Sequence, residues 1–237
     1  MKKKLLALAL IIFSLSSCSD KWEYTDGMAP ETGNNGGNDN GNGDGDGDGN
    51  VNQPVYDYQP MTTGSKWVYT GDFNYIIEAT NEEMVIDGIT YHSFTNSYMG
   101  NKFFSAKKDG AYYTYGNASA EATQLDFPAT PMLYLKDNAS VNSSWSSKIK
   151  ISPEGSPVDL FAQYAYTVKE KGISFKVDKA TYTDVIRIDM TMTLPGSSTP
   201  ISKGSYYYAK KIGFIYSKIT MNGETNTVKL ASYEIKP

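Results

Sequence analysis

Val185-Ile186-Arg187-Ile188-Asp189-Met190-Thr191-Met192 is the stretch that most limits what this chain can fold into. Ile186, Ile188, Met190 and Met192 fall on one side of an extended backbone, and Arg187, Asp189 and Thr191 on the other. Successive side chains of a strand point to opposite faces, so the run predicts a strand half buried in a sheet. Phe73, Tyr75, Ile77 and Ala79 alternate in the same way with Asn74 and Glu78. Asp87-Gly88, Asp109-Gly110 and Asn222-Gly223 each sit between β-rich runs. These pairs suit the tight turns of hairpins, where both central residues need positive φ. Ser152–Pro157 and Leu194–Pro200, rich in Pro, Gly and Ser, predict looser connections. Residues 55–237 are therefore expected to form one antiparallel β domain of about ten strands, long enough to bury a real core. A sheet of that size curls, which gives an all-β fold: a curved antiparallel sheet, half-barrel or open barrel, with little helix. The best candidate for a short helix runs from Ala118 to Leu125.

The pattern also repeats. Asn101-Lys102-Phe103-Phe104-Ser105-Ala106-Lys107-Lys108-Asp109-Gly110 echoes Ser205-Tyr206-Tyr207-Tyr208-Ala209-Lys210-Lys211-Ile212-Gly213. Aligned on Ala-Lys-Lys, Gly110 meets Gly213 and Tyr113 meets Tyr216. Upstream, Thr90-Tyr91 matches Thr181-Tyr182, and Trp67 and Trp145 open the two halves. This order predicts two diverged copies of a β meander contributing to one sheet. Thr63-Gly64-Ser65-Lys66-Trp67-Val68-Tyr69, Thr181 to Ile186, and Tyr206-Tyr207-Tyr208-Ala209-Lys210-Lys211-Ile212-Gly213 resemble an uncharacterised set of Gram-negative outer-membrane lipoproteins. Those have a Gly-x-x-Trp-x-Tyr start and a late Tyr-Ala-x-x-x-Gly strand; Lys211 stands where they usually carry glycine. The resemblance implies a curved sheet similar to the half-barrel of lipoprotein carriers, and no activity.

The amino-terminal residues give an address. Lys2, Lys3 and Lys4 precede an apolar run from Leu5 to Leu15, too short to span a membrane and suited to a signal peptide. Leu15-Ser16-Ser17-Cys18 resembles the bacterial lipobox. That resemblance implies a lipoprotein signal peptide over residues 1–17, a diacylglyceryl thioether on Cys18, and an acylated amino terminus (palmitate or a similar chain) over residues 18–26. Several acyl chains hold a protein to a bilayer far more durably than one. Cys18 is the only cysteine, so no disulfide can form within the chain. Losing Lys2, Lys3 and Lys4 takes the formal charge from −4 to −7, which argues against nucleic acid and against electrostatic attachment to anionic lipid. Ser19, directly after the cysteine, is not the aspartate that resembles an inner-membrane retention signal, so the expected location is the outer membrane. Ser19-Asp20-Lys21-Trp22-Glu23 only partly resembles an acidic surface-export tag, and the periplasmic or surface face stays undecided.

Residues 27–53 are almost wholly Gly, Asn and Asp. Nothing there can be buried to offset the entropy of ordering it, so the stretch reads as a disordered tether. Asp44, Asp46 and Asp48 match the first half of a calcium-loop pattern, but Val55 stands where the bidentate glutamate belongs. A solvated spacer is the expectation, with calcium unlooked for and no other cofactor.

Little in the domain points to catalysis. His92, the sole histidine, sits in a predicted strand opposite in facing to Tyr91, which suits an edge or solvent-facing residue. Glu78, Glu82, Glu83, Asp126, Glu154 and Asp159 are carboxylates that a fold could pair for glycoside hydrolysis, yet none has a local signature. Tyrosine is abundant, 19 in all, and is a residue that offers apolar area and a hydroxyl together. Tyr113 and Tyr115 share a strand face, as do Tyr206 and Tyr208, and these four are the candidate ligand face; Tyr112 and Tyr207 point away. The leading reading is a membrane-anchored, non-enzymatic lipoprotein presenting a tyrosine-rich β domain for binding or an accessory role. Its partner could be a glycan, a lipid or a protein. A carrier of an apolar or acyl ligand inside a half-barrel is the alternative, and a surface glycan hydrolase is a third.

Overall fold

The structure, a computed structural model, describes residues 57–98, 100–116, 119–120, 125–126, 129–152 and 155–237. The readings on residues 1–17, 18–26 and 27–53, including Cys18, Asp44, Asp46 and Asp48, lie outside the described residues. In chain order the strands are β1 (Lys66–Gly71), β2 (Tyr75–Ile86), β3 (Ile89–Asn96), β4 (Asn101–Lys108), β5 (Ala111–Tyr115), β6 (Ser119–Ala120), β7 (Leu125–Asp126), β8 (Met132–Lys136), β9 (Ser144–Lys150), β10 (Phe161–Val177), β11 (Ala180–Thr193), β12 (Ser202–Ala209), β13 (Gly213–Met221) and β14 (Glu224–Glu234). Twelve of them make one antiparallel sheet, in the order β8-β5-β4-β3-β2-β1-β14-β13-β12-β11-β10-β9. The fold is all-β and the sheet curls into a nearly closed barrel. Twelve strands exceed the expected ten because stretches such as Met132–Lys136 are too short to show alternation. Where the sequence suggested a helix near 118–125, Ser119–Ala120 pairs with Leu125–Asp126 as a separate small ladder; residues 121–124 lie outside the described residues.

The alternation of β11 is realised as read. Ile186, Ile188, Met190 and Met192 are fully buried inside the barrel, and Arg187, Asp189 and Thr191 face out. The three expected hairpin turns form: Asp87, Asp109 and Asn222 each take φ near +50°, followed by a glycine with positive φ.

Two six-stranded meanders account for the sheet. The first is β1 to β5 plus β8, the second β9 to β13 plus β14, and each runs in the same order across the sheet. Trp67 and Trp145 lie in the first strand of each, Thr90-Tyr91 and Thr181-Tyr182 near the start of the third, and Ala-Lys-Lys at the turn after the fourth. The two junctions between the halves differ. β1 pairs with β14 through a ladder from Lys66↔Glu234 to Gly71↔Val228. The equivalent β8–β9 junction has no ladder; there Trp145 Nε1 and Ser147 Oγ both donate to the Leu133 carbonyl, at 3.3 and 2.9 Å.

One end of the barrel is crossed by the chain just before β1. The Lys211 amide donates to the Asp57 carbonyl, the Tyr58 amide donates to Tyr112 Oη at 2.9 Å, and the Tyr58 ring is buried in the core. Asp57 to Met61 thus straps this end. The carboxyl terminus is fixed at the same end, where the Lys236 amide donates to Ser65 Oγ.

Candidate functional site

Three regions can be weighed as sites: the barrel interior, the strapped end and the outer wall. The interior is filled by its own side chains. Tyr69, Tyr75, Tyr134, Tyr164, Tyr166, Tyr206 and Tyr208 are all buried there, with Trp67 and Phe214. Burial holds the Tyr69, Tyr166 and Tyr208 hydroxyls far above the usual phenol range, so they act as protonated donors. Tyr69 Oη donates to the Phe214 carbonyl at 3.0 Å, and Tyr166 Oη to Met132 Sδ at 3.5 Å. A cavity of about 20 Å³ lies between Gln59, Trp67, Tyr69, Thr114, Tyr134 and neighbours. That is room for about one water, against roughly 300 Å³ or more for a small-molecule pocket. The carrier alternative needed an apolar cavity of the larger kind; these aromatic side chains occupy the space instead.

At the strapped end a polar cluster forms that no local sequence pattern announces. Tyr112 Oη donates to Asp137 Oδ2 at 2.8 Å, Lys107 Nζ pairs with the same oxygen at 3.2 Å, and Lys107 lies 4.8 Å from the Tyr112 ring centre. Asp57 Oδ1 accepts from the Gln59 amide at 2.9 Å. Burial raises the Asp57 carboxyl above its ordinary value, and Asp137 adds to the rise; the Gln59 amide and Lys107 oppose it. The cluster fastens the strap: Tyr112 Oη accepts from the Tyr58 amide and donates to Asp137, which Lys107 also holds.

A folded-state carboxyl pKa above the unfolded one means that the folded protein binds the proton more tightly. Its stabilising contribution is present below the unfolded value, near pH 4, and is lost as pH rises through the raised one. Asp57→Asn keeps the acceptor for Gln59 and removes the titration. The stability of the variant relative to wild type should therefore increase as pH goes from 4 to 7, read as the difference in urea midpoints. Parallel midpoints across that range would contradict the account.

The four candidate ligand-face tyrosines do not share a face. Tyr206 and Tyr208 point inward, Tyr208 packing 6.0 Å from Tyr134 and 5.9 Å from Phe214. Tyr113 and Tyr115 point outward, into a second cluster with Tyr91, Ala106 and Ala129. The reason is strand parity: Tyr206 and Tyr208 correspond to Phe103 and Ser105 in the fourth strand of a meander, whereas Tyr113 and Tyr115 belong to the fifth, where the outward tyrosine of the other copy is Tyr216. Tyr112 faces inward and Tyr207 outward.

The remaining candidates stay apart. His92 is half-buried on β3, its Nδ1 3.1 Å from Glu83. Glu82 pairs with Lys102 and Asp159 with Lys150, and Glu78 is exposed on β2. Glu154 and the side chain of Asp126 lie outside the described residues. Among the described residues no three His, Cys, Asp or Glu side chains are grouped to hold a metal.

The outer wall of the second meander carries what the sequence reading missed. Phe175 stacks on Tyr207 with ring centres 4.0 Å apart, and Tyr216 lies 5.3 and 5.4 Å from the two. Beside them Arg187 pairs with Glu170 at 3.2 Å and Asp189 at 3.3 Å, and Ser205 Oγ donates to Asp189 at 2.6 Å. Phe175 was obscured because β10 is bulged on both sides of Ile173, which breaks its alternation.

No family model matches the chain, and no curated protein sequence matches it. Two solved structures are similar in fold. One is a candidate lipoprotein from Parabacteroides distasonis ATCC 8503, 14% identical over 77% of this chain and 100% of the other, with a TM-score of 0.48. The second is a candidate exported protein with a YmcC-like fold from Bacteroides fragilis NCTC 9343, 10% identical over 74% of this chain and 97% of the other, with a TM-score of 0.42.

Proposed function

We propose that this chain is a non-enzymatic lipoprotein of the outer membrane, anchored through acyl chains on Cys18, that binds its partner on the outside of the barrel. The filled interior carries the reading. With the space inside the sheet taken by tyrosines, recognition falls to the wall and the loops. The Leu15-Ser16-Ser17-Cys18 resemblance supports the anchor, and the Gly/Asn/Asp composition of residues 27–53 supports a spacer between anchor and domain. Of the carboxylates weighed for glycoside hydrolysis, Glu82 pairs with Lys102 and Asp159 with Lys150, and Glu83 lies beside His92, an arrangement that favours binding over hydrolysis.

Cys18→Ser tests the anchor. The variant should lose incorporation of labelled palmitate and leave the outer-membrane fraction, while the β domain keeps its circular dichroism and melting temperature. A variant that still takes up palmitate and still fractionates with the outer membrane overturns the anchor.

A further inference from the structure

We propose that Phe175, Tyr207 and Tyr216, with Arg187, Asp189 and Glu170, form a binding site for a neutral saccharide. The proposal rests on the reading that the domain binds through its outer wall, and it names the ligand class and the place.

The internal repeat shows what is unusual about this face. Met84 opposes Tyr91 as Phe175 opposes Tyr182, and Tyr115 opposes Phe104 as Tyr216 opposes Tyr207. In the first meander the Met84, Phe104 and Tyr115 positions belong to an outer cluster against which the chain packs its own Ala129, from the connection between β5 and β8. In the second meander the matching connection, between β13 and β14, is only Asn222-Gly223. The chain has no connection there to lay over Phe175, Tyr207 and Tyr216, and the three rings remain half-buried.

The surroundings of the rings differ as well, and they select the ligand. Ser93, which opposes Phe104, is fully buried and bonded to Thr80. The residue opposing Tyr207 is Arg187, which is held between Glu170 and Asp189 and lies 5.9 Å from the Tyr207 ring centre. The hydroxyls of Tyr207 and Tyr216 have no hydrogen-bond partner among the described residues. A ligand here therefore meets aromatic surface, two free phenol groups, and charged groups already fixed by their neighbours. An acyl chain would leave those polar groups unpaired at a cost. Arg187, Glu170 and Asp189 together carry one net negative charge, and Lys229 is matched by Asp178 at 2.7 Å, so the charges fixed beside the rings do not draw an anion. The exposed Lys218, opposite Ser205, is a nearby cation without an ion pair among the described residues, and the acidic glycans below test it. A neutral sugar has both features required. Its C–H face lies against rings, and its hydroxyls pair with phenol, carboxylate and guanidinium groups without moving them far.

The test uses the full mature-length chain carrying Cys18→Ser, titrated calorimetrically and on an array with mannan, dextran, laminarin and neutral lipopolysaccharide core oligosaccharides. The array also carries acidic glycans, phospholipid vesicles and a random peptide set. Binding to at least one neutral glycan is expected. Phe175→Leu and Tyr216→Ala should each weaken it by about tenfold, the scale of one lost aromatic contact. Tyr207→Phe and Tyr216→Phe, which keep the rings, should weaken it several-fold with unchanged melting temperature. Lys148→Ala, at an exposed position of β9, should leave it unchanged. Neutral glycan binding that survives Phe175→Leu and both Tyr→Phe variants places the site elsewhere and overturns the proposal. So does binding confined to acidic glycans, vesicles or peptides, or no binding at all. These failures leave the lipid-anchor reading standing, since that is decided by palmitate labelling and fractionation.

Discussion

Trp67→Ala should cost the barrel about 3–5 kcal/mol, the range for emptying a fully packed aromatic site. Trp67 is 1% exposed, sits 6.1 Å from Phe94, and donates from Nε1 to the Ile212 carbonyl at 2.6 Å. That hydrogen bond ties β1 of the first meander to the turn between β12 and β13 of the second. Trp67→Phe separates the two contributions. It keeps most of the apolar contact but leaves the Ile212 carbonyl without its donor, for an expected loss of about 1–3 kcal/mol. Urea unfolding followed by tyrosine fluorescence reads both variants. Trp145→Phe is the internal comparison: its Nε1 bond is longer, and Ser147 already serves the same Leu133 carbonyl, so its loss should be the smaller. Equal losses for the two Trp→Phe variants would show that the Ile212 bond adds nothing.

Gly71→Ala is the second large effect, expected at about 2–4 kcal/mol from backbone strain and overpacking together. Gly71 has φ +123°, and a Cβ there would lie 2.3 Å from the Thr227 carbonyl oxygen. That oxygen cannot swing aside, because it accepts from the Asp72 amide while Asp72 Oδ2 accepts from the Thr227 amide. The substitution would push β1 away from β14 at the one laddered junction between the halves. Gly88→Ala is the control, since a Cβ at Gly88 meets nothing within 4 Å. It should cost about 1 kcal/mol for its positive φ alone. A thermal melt in which both variants fall equally would remove the role assigned to the Thr227 contact.

Much of the fold could be read from side-chain order. Period two in Val185 to Met192, three Asp-Gly or Asn-Gly turns, and the repeated Trp, Thr-Tyr, Ala-Lys-Lys order are local signals, and each corresponds to a strand, a turn or a repeat in the barrel. What could not be read depends on contacts distant in sequence. Asp57 and Asp137 come together because the strap crosses the barrel end, and nothing near either residue encodes that crossing. Tyr113 and Tyr208 look alike along the chain, yet which face of the sheet becomes the interior depends on which way it curls. Phe175 reaches Tyr207 only through bulges that suspend the alternation used to find strands.

The ladder between β1 and β14 has a consequence for how the chain finds its fold. Apart from β6–β7, every other ladder joins neighbours along its own meander, so each half can assemble from short-range encounters. Among the described residues only β1 and β14, with Lys66 opposite Glu234, bring distant parts of the chain into register. The closure entropy of folding is thus concentrated in that single encounter. Refolding speed should then respond most to changes along β1 and β14, while changes in the individual hairpins mainly alter how fast the barrel comes apart.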